Sequence, residues 1–281
     1  MTNVPINYYH CYATANDDRL YKQDIKNLIN ISRTRPLNGR VSLYIAISLS
    51  NPTGKWDGLF EQFVTFLFKD HPYIVLSGIY FKSNVGRDFS SYELLNSKVQ
   101  SVCRPDDYIF FQNRSAYGPY KENWFQEFIN LYESAPEIRL VGSTINFADH
   151  PSRSREMNCA HVQTYAFLAR AKEFAPLVGA FPAMSLDNRA DIIIQGEIGL
   201  SRYFMKDGGK LACLEWPDVS IDMDSPALAS KDIKKYVSKD HPFYHRRYFK
   251  KNSIAARKFE TLRALAVCSR FILAMIKVPA D

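Results

Sequence analysis

The sequence predicts an α/β protein with a mainly parallel sheet flanked by helices and a basic C-terminal helical tail. Three observations carry this. Short apolar runs rich in β-branched and aromatic residues recur before residue 150, segments of helical character separate them, and the positive charge is concentrated after residue 230.

In chain order, residues 41–49 (VSLYIAISL) read as a strand, residues 59–68 as a helix and residues 73–80 (YIVLSGIY) as a second strand. Strand, helix, strand is the parallel crossover unit. A helix-like segment at 91–102 precedes the strand 108–112 (YIFFQ), and another at 124–134 precedes the strand 139–145 (RLVGSTI). In sheets of this kind ligands bind beyond the carboxyl ends of the strands, so the residues after Tyr80, Gln112 and Ile145 are expected to gather into a site.

At 281 residues, with 46% hydrophobic and 23% charged side chains, the chain is long enough for one large domain or a domain with an appended part. This composition excludes disorder, collagen and coiled coil. Five cysteines at wide spacings, with no C-x-x-C pair, point to neither a disulfide framework nor a zinc site, and a reducing compartment follows. The polar start lacks the pattern of a signal peptide and no stretch is long enough for a membrane span, so a cytoplasmic protein is expected.

Residues 231–281 hold 13 Lys and Arg against 4 Asp and Glu, whereas the first 230 residues are slightly acidic. A boundary between residues 1–230 and a tail at 231–281 follows from that shift. On a helix, Arg263, Arg270 and Lys277 share one face and Leu265, Cys268, Ile272 and Ile276 the opposite one. A last helix packed on the domain and a helix lying on a membrane, in contact through 254–278, both fit this pattern. Nucleic acid is not the expected partner, because no RNP, KH or zinc-finger pattern is present and most tyrosines sit in apolar stretches.

Four segments carry chemistry. Residues 84–95 (NVGRDFSSYELL) place a glycine turn after a strand, where Gly86 permits close backbone approach and Arg87 reaches a phosphate from the helix start. An ordinary strand-to-helix turn with a surface Arg-Asp pair fits the same spacing. Residues 110–120 (FFQNRSAYGPY) end a very apolar strand abruptly in Asn113, Arg114 and Ser115, which face a ligand or satisfy the loop backbone. His161 and Gln163 alternate in NCAHVQTYAFLA and so share one face of a strand, where a lone histidine is a structural residue or a site residue. In QGEIGLSR, Glu197 stands near an expected helix start, as a first-turn charge or as a general base.

Together, NVGRDFSSYELL, YIFFQNRSAYGPY, Trp124, LVGSTIN, HVQTYAF, GEIGLSR and HPFYHRRYFKKN resemble the bacterial surface-polysaccharide glycosyltransferases. That group includes rhamnan-synthesis F-like proteins and the galactofuranosyltransferases of O-antigen and capsule assembly. The resemblance runs from about residue 5 to about residue 252 and implies a GT-A-like fold, with a nucleotide-sugar half at about 1–150 and an acceptor half at about 151–230. It implies donor contacts from Asn84, Gly86, Arg87, Asp88, Asn113, Arg114 and Ser115. Substrate contacts are implied for His161 and Gln163, and Glu197 becomes the catalytic base of an inverting transfer.

GT-A enzymes commonly carry Asp-x-Asp where this chain has Asn113-Arg114-Ser115. One amide, one cation and one hydroxyl suit Mn²⁺ or Mg²⁺ poorly, so metal use stays open. Arg202, Arg246, Arg247, Lys250 and Lys251, with Arg87 and Arg114, are the cations available to the leaving diphosphate if the tail folds back over the donor. The implied donor is a UDP- or dTDP-linked sugar, galactofuranose or rhamnose, and the implied acceptor a lipid-linked glycan at the inner face of the membrane. The alternative is a non-catalytic homologue that acts as a binding partner in polysaccharide assembly.

Overall fold

A computed structural model describes residues 5–18, 20–147, 159–225, 238, 240–246 and 254–276. The chain opens with β1 (Tyr8–Ala15) and α1 (Lys22–Arg33), then β2 (Val41–Leu49), α2 (Lys55–Phe68), β3 (Ile74–Ser83) and α3 (Arg87–Gln100). The fully buried β4 (Tyr108–Asn113) follows, with the short β5 (Ala116–Tyr117), α4 (Trp124–Tyr132), β6 (Ile138–Gly142) and β7 (Ile145–Asn146). Next come β8 (His161–Val162), β9 (Ala166–Arg170) and α5 (Ala171–Phe174). A continuous helical stretch then runs from α6 (Arg189–Asp191) through the wide π turn Ile192–Ile198 to α7 (Gly199–Met205). Strands β10 (Lys210–Cys213), β11 (Ser220–Ile221) and β12 (Tyr244–His245) precede the last helix, α8 (Ile254–Ile276).

Eight strands form the central sheet in the order β11-β10-β6-β9-β4-β1-β2-β3. Neighbours pair in parallel except around β9 and β11, so the sheet is mainly parallel, as the alternation predicts. The expected strand 139–145 is divided at Gly142, where a Cβ would lie 2.5 Å from Val162. Helix α3 starts four residues earlier than expected, because the turn at Gly86 feeds directly into it.

Aromatic rings fill the interior. Phe110 meets Trp124 and Phe128 at 4.9 Å and Phe243 at 5.4 Å between centroids, and Phe111 stacks on Phe167. Each such ring stabilises the fold by about 1.5–3 kcal/mol through burial. Phe243 belongs to the basic tail, so part of that tail is core.

Helix α8 lies against α1 and α2. Val267 packs on Ile29 and Phe63, Phe271 sits edge-on to Phe63 at 5.6 Å, and Asn30 donates to the buried Glu260 at 3.0 Å. The inward face is thus 260, 264, 267 and 271, which corrects the face expected from sequence. Of that expected set only Cys268 turns inward, while Leu265, Ile272 and Ile276 are 59%, 54% and 73% exposed. Apolar residues cover both faces of the helix, so periodicity could not say which one packs. No described helix is long and apolar enough to cross a membrane.

Candidate active site

The parallel strands end at a cavity of about 290 Å³. Because β9 runs antiparallel to β4, with Ala166 opposite Gln112, it is the approach to β9 that reaches this edge, bringing Gln163, Thr164 and Tyr165 with it. Gln163 N donates to Thr144 O at 3.0 Å, and Tyr92 Oη donates to Thr164 O at 2.6 Å, which fixes that approach.

Arg87 and Asp88 enter from the start of α3. Gly86 has φ +71°, donates to Leu186 O at 3.1 Å, and leaves only 2.0 Å between a Cβ built on it and Met184 O. No other residue type fits that contact. Arg87 continues the left-handed turn with φ 47° and is exposed at the cavity mouth. Asn113, at the end of β4, closes a turn by accepting from Ser115 N at 2.9 Å and donates from Nδ2 to Asp88 Oδ2 at 2.9 Å. Burial pushes the Asp88 carboxyl above its ordinary range, and the Glu197 charge adds to the shift. Arg114, Lys82 and the Asn113 hydrogen bond act against it. Lys82 is itself pushed down to about 8 by burial, with Asp88 opposing.

Across the cavity, the π turn carries Glu197. Its place at an expected helix start is corrected: it lies inside a continuous helical stretch whose wide turn aims it inward. A Cβ on Gly196 would lie 2.6 Å from the Phe89 ring, so the turns bearing Glu197 and Asp88 are pressed together at that glycine. His161 is buried, its Nε2 is 3.3 Å from Glu197 Oε2 and its Nδ1 is 2.6 Å from Cys159 O. Ser201 Oγ on α7 accepts from Val162 N at 3.0 Å and holds β8 in place.

The tail completes the wall. Strand β12 pairs antiparallel with β5, setting His245 opposite Ala116, and Arg246 N donates to Ser115 O at 2.9 Å. His245 and Arg246 therefore line the cavity, anchored by Phe243 in the core.

Eight of the residues expected from sequence meet here: Arg87, Asp88, Asn113, Ser115, His161, Gln163, Glu197 and Arg246. Asn84 and Gly86 do not line the cavity but build the turn, Asn84 O accepting from Arg87 N at 3.2 Å. Arg114 turns away, donating to Ala15 O at 3.1 Å and pairing with Asp17. Arg202 does not line the cavity either, and Arg247, Lys250 and Lys251 lie outside the described residues. Arg189, Asn146 and His245 line it without having been singled out, since nothing in their local sequence marks them.

The triplet does not fit a divalent metal, because Asn113 is committed to Asp88 and Ser115 N, and Arg114 points to Asp17. Among the described residues no group of three His, Cys, Asp or Glu side chains converges to hold an ion. What the cavity does offer is two carboxylates with a histidine inside, and guanidiniums from Arg87, Arg189 and Arg246 at its mouth.

No protein-family model matches the chain, and no curated protein matches its sequence. Solved structures share its outline. Mouse xyloside xylosyltransferase 1 is 10% identical with a TM-score of 0.39, over 71% of this chain and 80% of that one. The glycosyltransferase GlyE of Streptococcus pneumoniae TIGR4 is 12% identical with a TM-score of 0.35, over 75% of this chain and 46% of that one, so this chain spans less than half of its length. A 4-diphosphocytidyl-2C-methyl-D-erythritol synthase is 11% identical with a TM-score of 0.42, over 75% and 89%. Overlaps this partial carry no argument about activity.

Proposed function

We propose that the chain is a nucleotide-sugar-dependent glycosyltransferase working with inversion. The observation that carries this reading is the joining, in one cavity beyond the parallel strands, of the Asp88 and Glu197 carboxylates with the Arg87, Arg189 and Arg246 guanidiniums. The motif resemblance supplies the reaction class. An acceptor hydroxyl attacks the anomeric carbon, the bond from that carbon to the diphosphate oxygen breaks with its electron pair leaving on the diphosphate, and Glu197 takes the hydroxyl proton. Such a base contributes about 10²–10⁴ in rate. The guanidiniums meet the charge that develops on the diphosphate, so transfer proceeds without a divalent metal.

The donor is UDP-galactofuranose or dTDP-rhamnose, and the acceptor a lipid-linked glycan of a cell-surface polysaccharide. The exposed apolar residues of α8, Leu262, Leu265, Leu273 and Ile276, beside Arg263 and Arg270, support peripheral contact with the cytoplasmic membrane face.

A thermal-shift panel with UDP, dTDP, GDP, CDP and ADP, each with EDTA or with Mn²⁺, tests the reading. At 100 times its dissociation constant a ligand adds about 2.7 kcal/mol, a shift of a few degrees for a chain of this size. Stabilisation by UDP or dTDP in EDTA is expected. No shift with any nucleotide would point to the non-catalytic alternative.

A further inference from the structure

The contacts of His161 fix where its protons must be. Nδ1 lies 2.6 Å from the carbonyl oxygen of Cys159, and a carbonyl oxygen only accepts, so Nδ1 carries a hydrogen. In a neutral ring the Nε2 lone pair would then face the Glu197 carboxylate, Oε2 at 3.3 Å. A proton between those two atoms turns that repulsion into a charge-assisted hydrogen bond.

We propose that His161 and Glu197 hold one proton jointly, imidazolium against carboxylate, so that His161 is the positioning residue for the base. Its catalytic meaning rests on the transfer proposed above. The pair pins Glu197 by Oε2, which leaves the second carboxylate oxygen to take the acceptor proton. Gln163, whose amide nitrogen is 3.4 Å from His161 Nε2, then turns its amide oxygen to the ring instead. The charged groups facing the pair act in both directions. Arg87 and Asp88 at the start of α3, Arg189 at the head of the helical stretch, and His245 and Arg246 from the tail all line the same cavity. The three guanidiniums oppose the imidazolium and Asp88 favours it, and Glu197 is the carboxylate that lies 3.3 Å from the ring. Loss of the shared proton at high pH unpins Glu197, so turnover falls on the alkaline side.

The test is ring-nitrogen NMR of the full chain, labelled at its six histidines and free of substrate, with a His161→Gln difference spectrum for assignment. His10 and His241, pushed down to about 3 and about 4 by burial, stay neutral and serve as references. His161 is expected to carry hydrogens on both nitrogens at pH 7, to titrate above the ordinary value of about 6.5, and to fall by about one unit or more in Glu197→Gln. A neutral His161 with hydrogen on Nδ1 alone at pH 7 would overturn the proposal, as would a midpoint unmoved by Glu197→Gln. The wild-type spectrum decides the first point even if that variant folds poorly. Since no substrate is present, a protein that transfers no sugar can still pass, and an active one can still fail.

Discussion

Asn113 Nδ2 donates to Asp88 Oδ2 across 2.9 Å, tying the end of β4 to the first turn of α3. The bond joins two of the three strand ends that the sequence predicts to gather, and it holds a carboxylate that burial makes costly to ionise. Asp88 therefore carries a cost in stability.

That cost is measurable in Asp88→Asn. A carboxyl whose folded pKa is raised binds more protons folded than unfolded between the two values, so the native protein loses stability as pH rises through that window. The amide has no charge to bury. The variant should melt above wild type at pH 8, lose this advantage as pH falls toward the ordinary carboxylate value of about 3.9, and transfer sugar about 10²-fold more slowly. A melting point below wild type at pH 8 would remove Asp88 from the strained part of the site.

Glu197→Gln preserves the shape of the π turn and removes the proposed base. Turnover should drop by about 10²–10⁴ with the donor KM changed little, because the loss falls on the transition state and not on donor binding. Near-normal turnover would remove Glu197 as the base.

Much of this site was legible in the sequence, and what was not has a physical reason. The strand at 41–49 has the predicted bounds, since a strand buried on both faces reads as one unbroken apolar run. The central β1 was not recognised, because His10 and Thr14 interrupt its apolar pattern although both are buried, His10 against Gln112 at 3.0 Å. Glu197 lines the cavity but was misplaced in its element, since a π turn follows neither the 3.6 nor the 2.0 period. His245 reaches the cavity through the pairing of β12 with β5, and the segment before Arg189 is held there by Gly86 N on Leu186 O, contacts that no local window contains.

Removing the cationic mouth should weaken the donor diphosphate specifically. Arg189→Ala and Arg246→Ala are each expected to lower UDP or dTDP affinity about 10–100-fold, the range for a lost hydrogen bond to a charged group, while uridine binding changes little. Calorimetric titration with nucleotide and nucleoside separates the two. Equal losses for both ligands would mean that the arginines shape the cavity without meeting phosphate.

Two glycines with positive φ separate backbone strain from close approach. Gly179 has φ +75° and open space around it, so Gly179→Ala should cost about 1 kcal/mol through its backbone alone. Gly86→Ala adds a collision with Met184 O and should cost at least about 2 kcal/mol more, as well as disturbing Arg87 and Asp88. Denaturant titration of both variants reads the difference, and equal costs would show that the chain at Met184 yields without resistance.

The two faces of α8 invite separate tests. Val267 fills the contact with Ile29 and Phe63, so Val267→Ala should lower stability by about 1–2 kcal/mol and leave membrane binding as it was. Leu265 and Leu273 point outward at 59% and 56% exposure, so the double variant Leu265→Gln, Leu273→Gln should leave the melting point unchanged. Co-sedimentation with vesicles of anionic lipid reads the other half of the argument. The outward pair would bury apolar area in the headgroup region, at about 25 cal/mol per Å², and the neighbouring Arg263 and Arg270 would add attraction that salt weakens. The double variant should therefore lose most vesicle binding at any salt, whereas wild type should lose part of it as salt rises. Deleting the whole helix cannot make this distinction, because it would also uncover Ile29 and Phe63. If the double variant sediments like wild type, α8 is a packed last helix, and the acceptor reaches the cavity without its help.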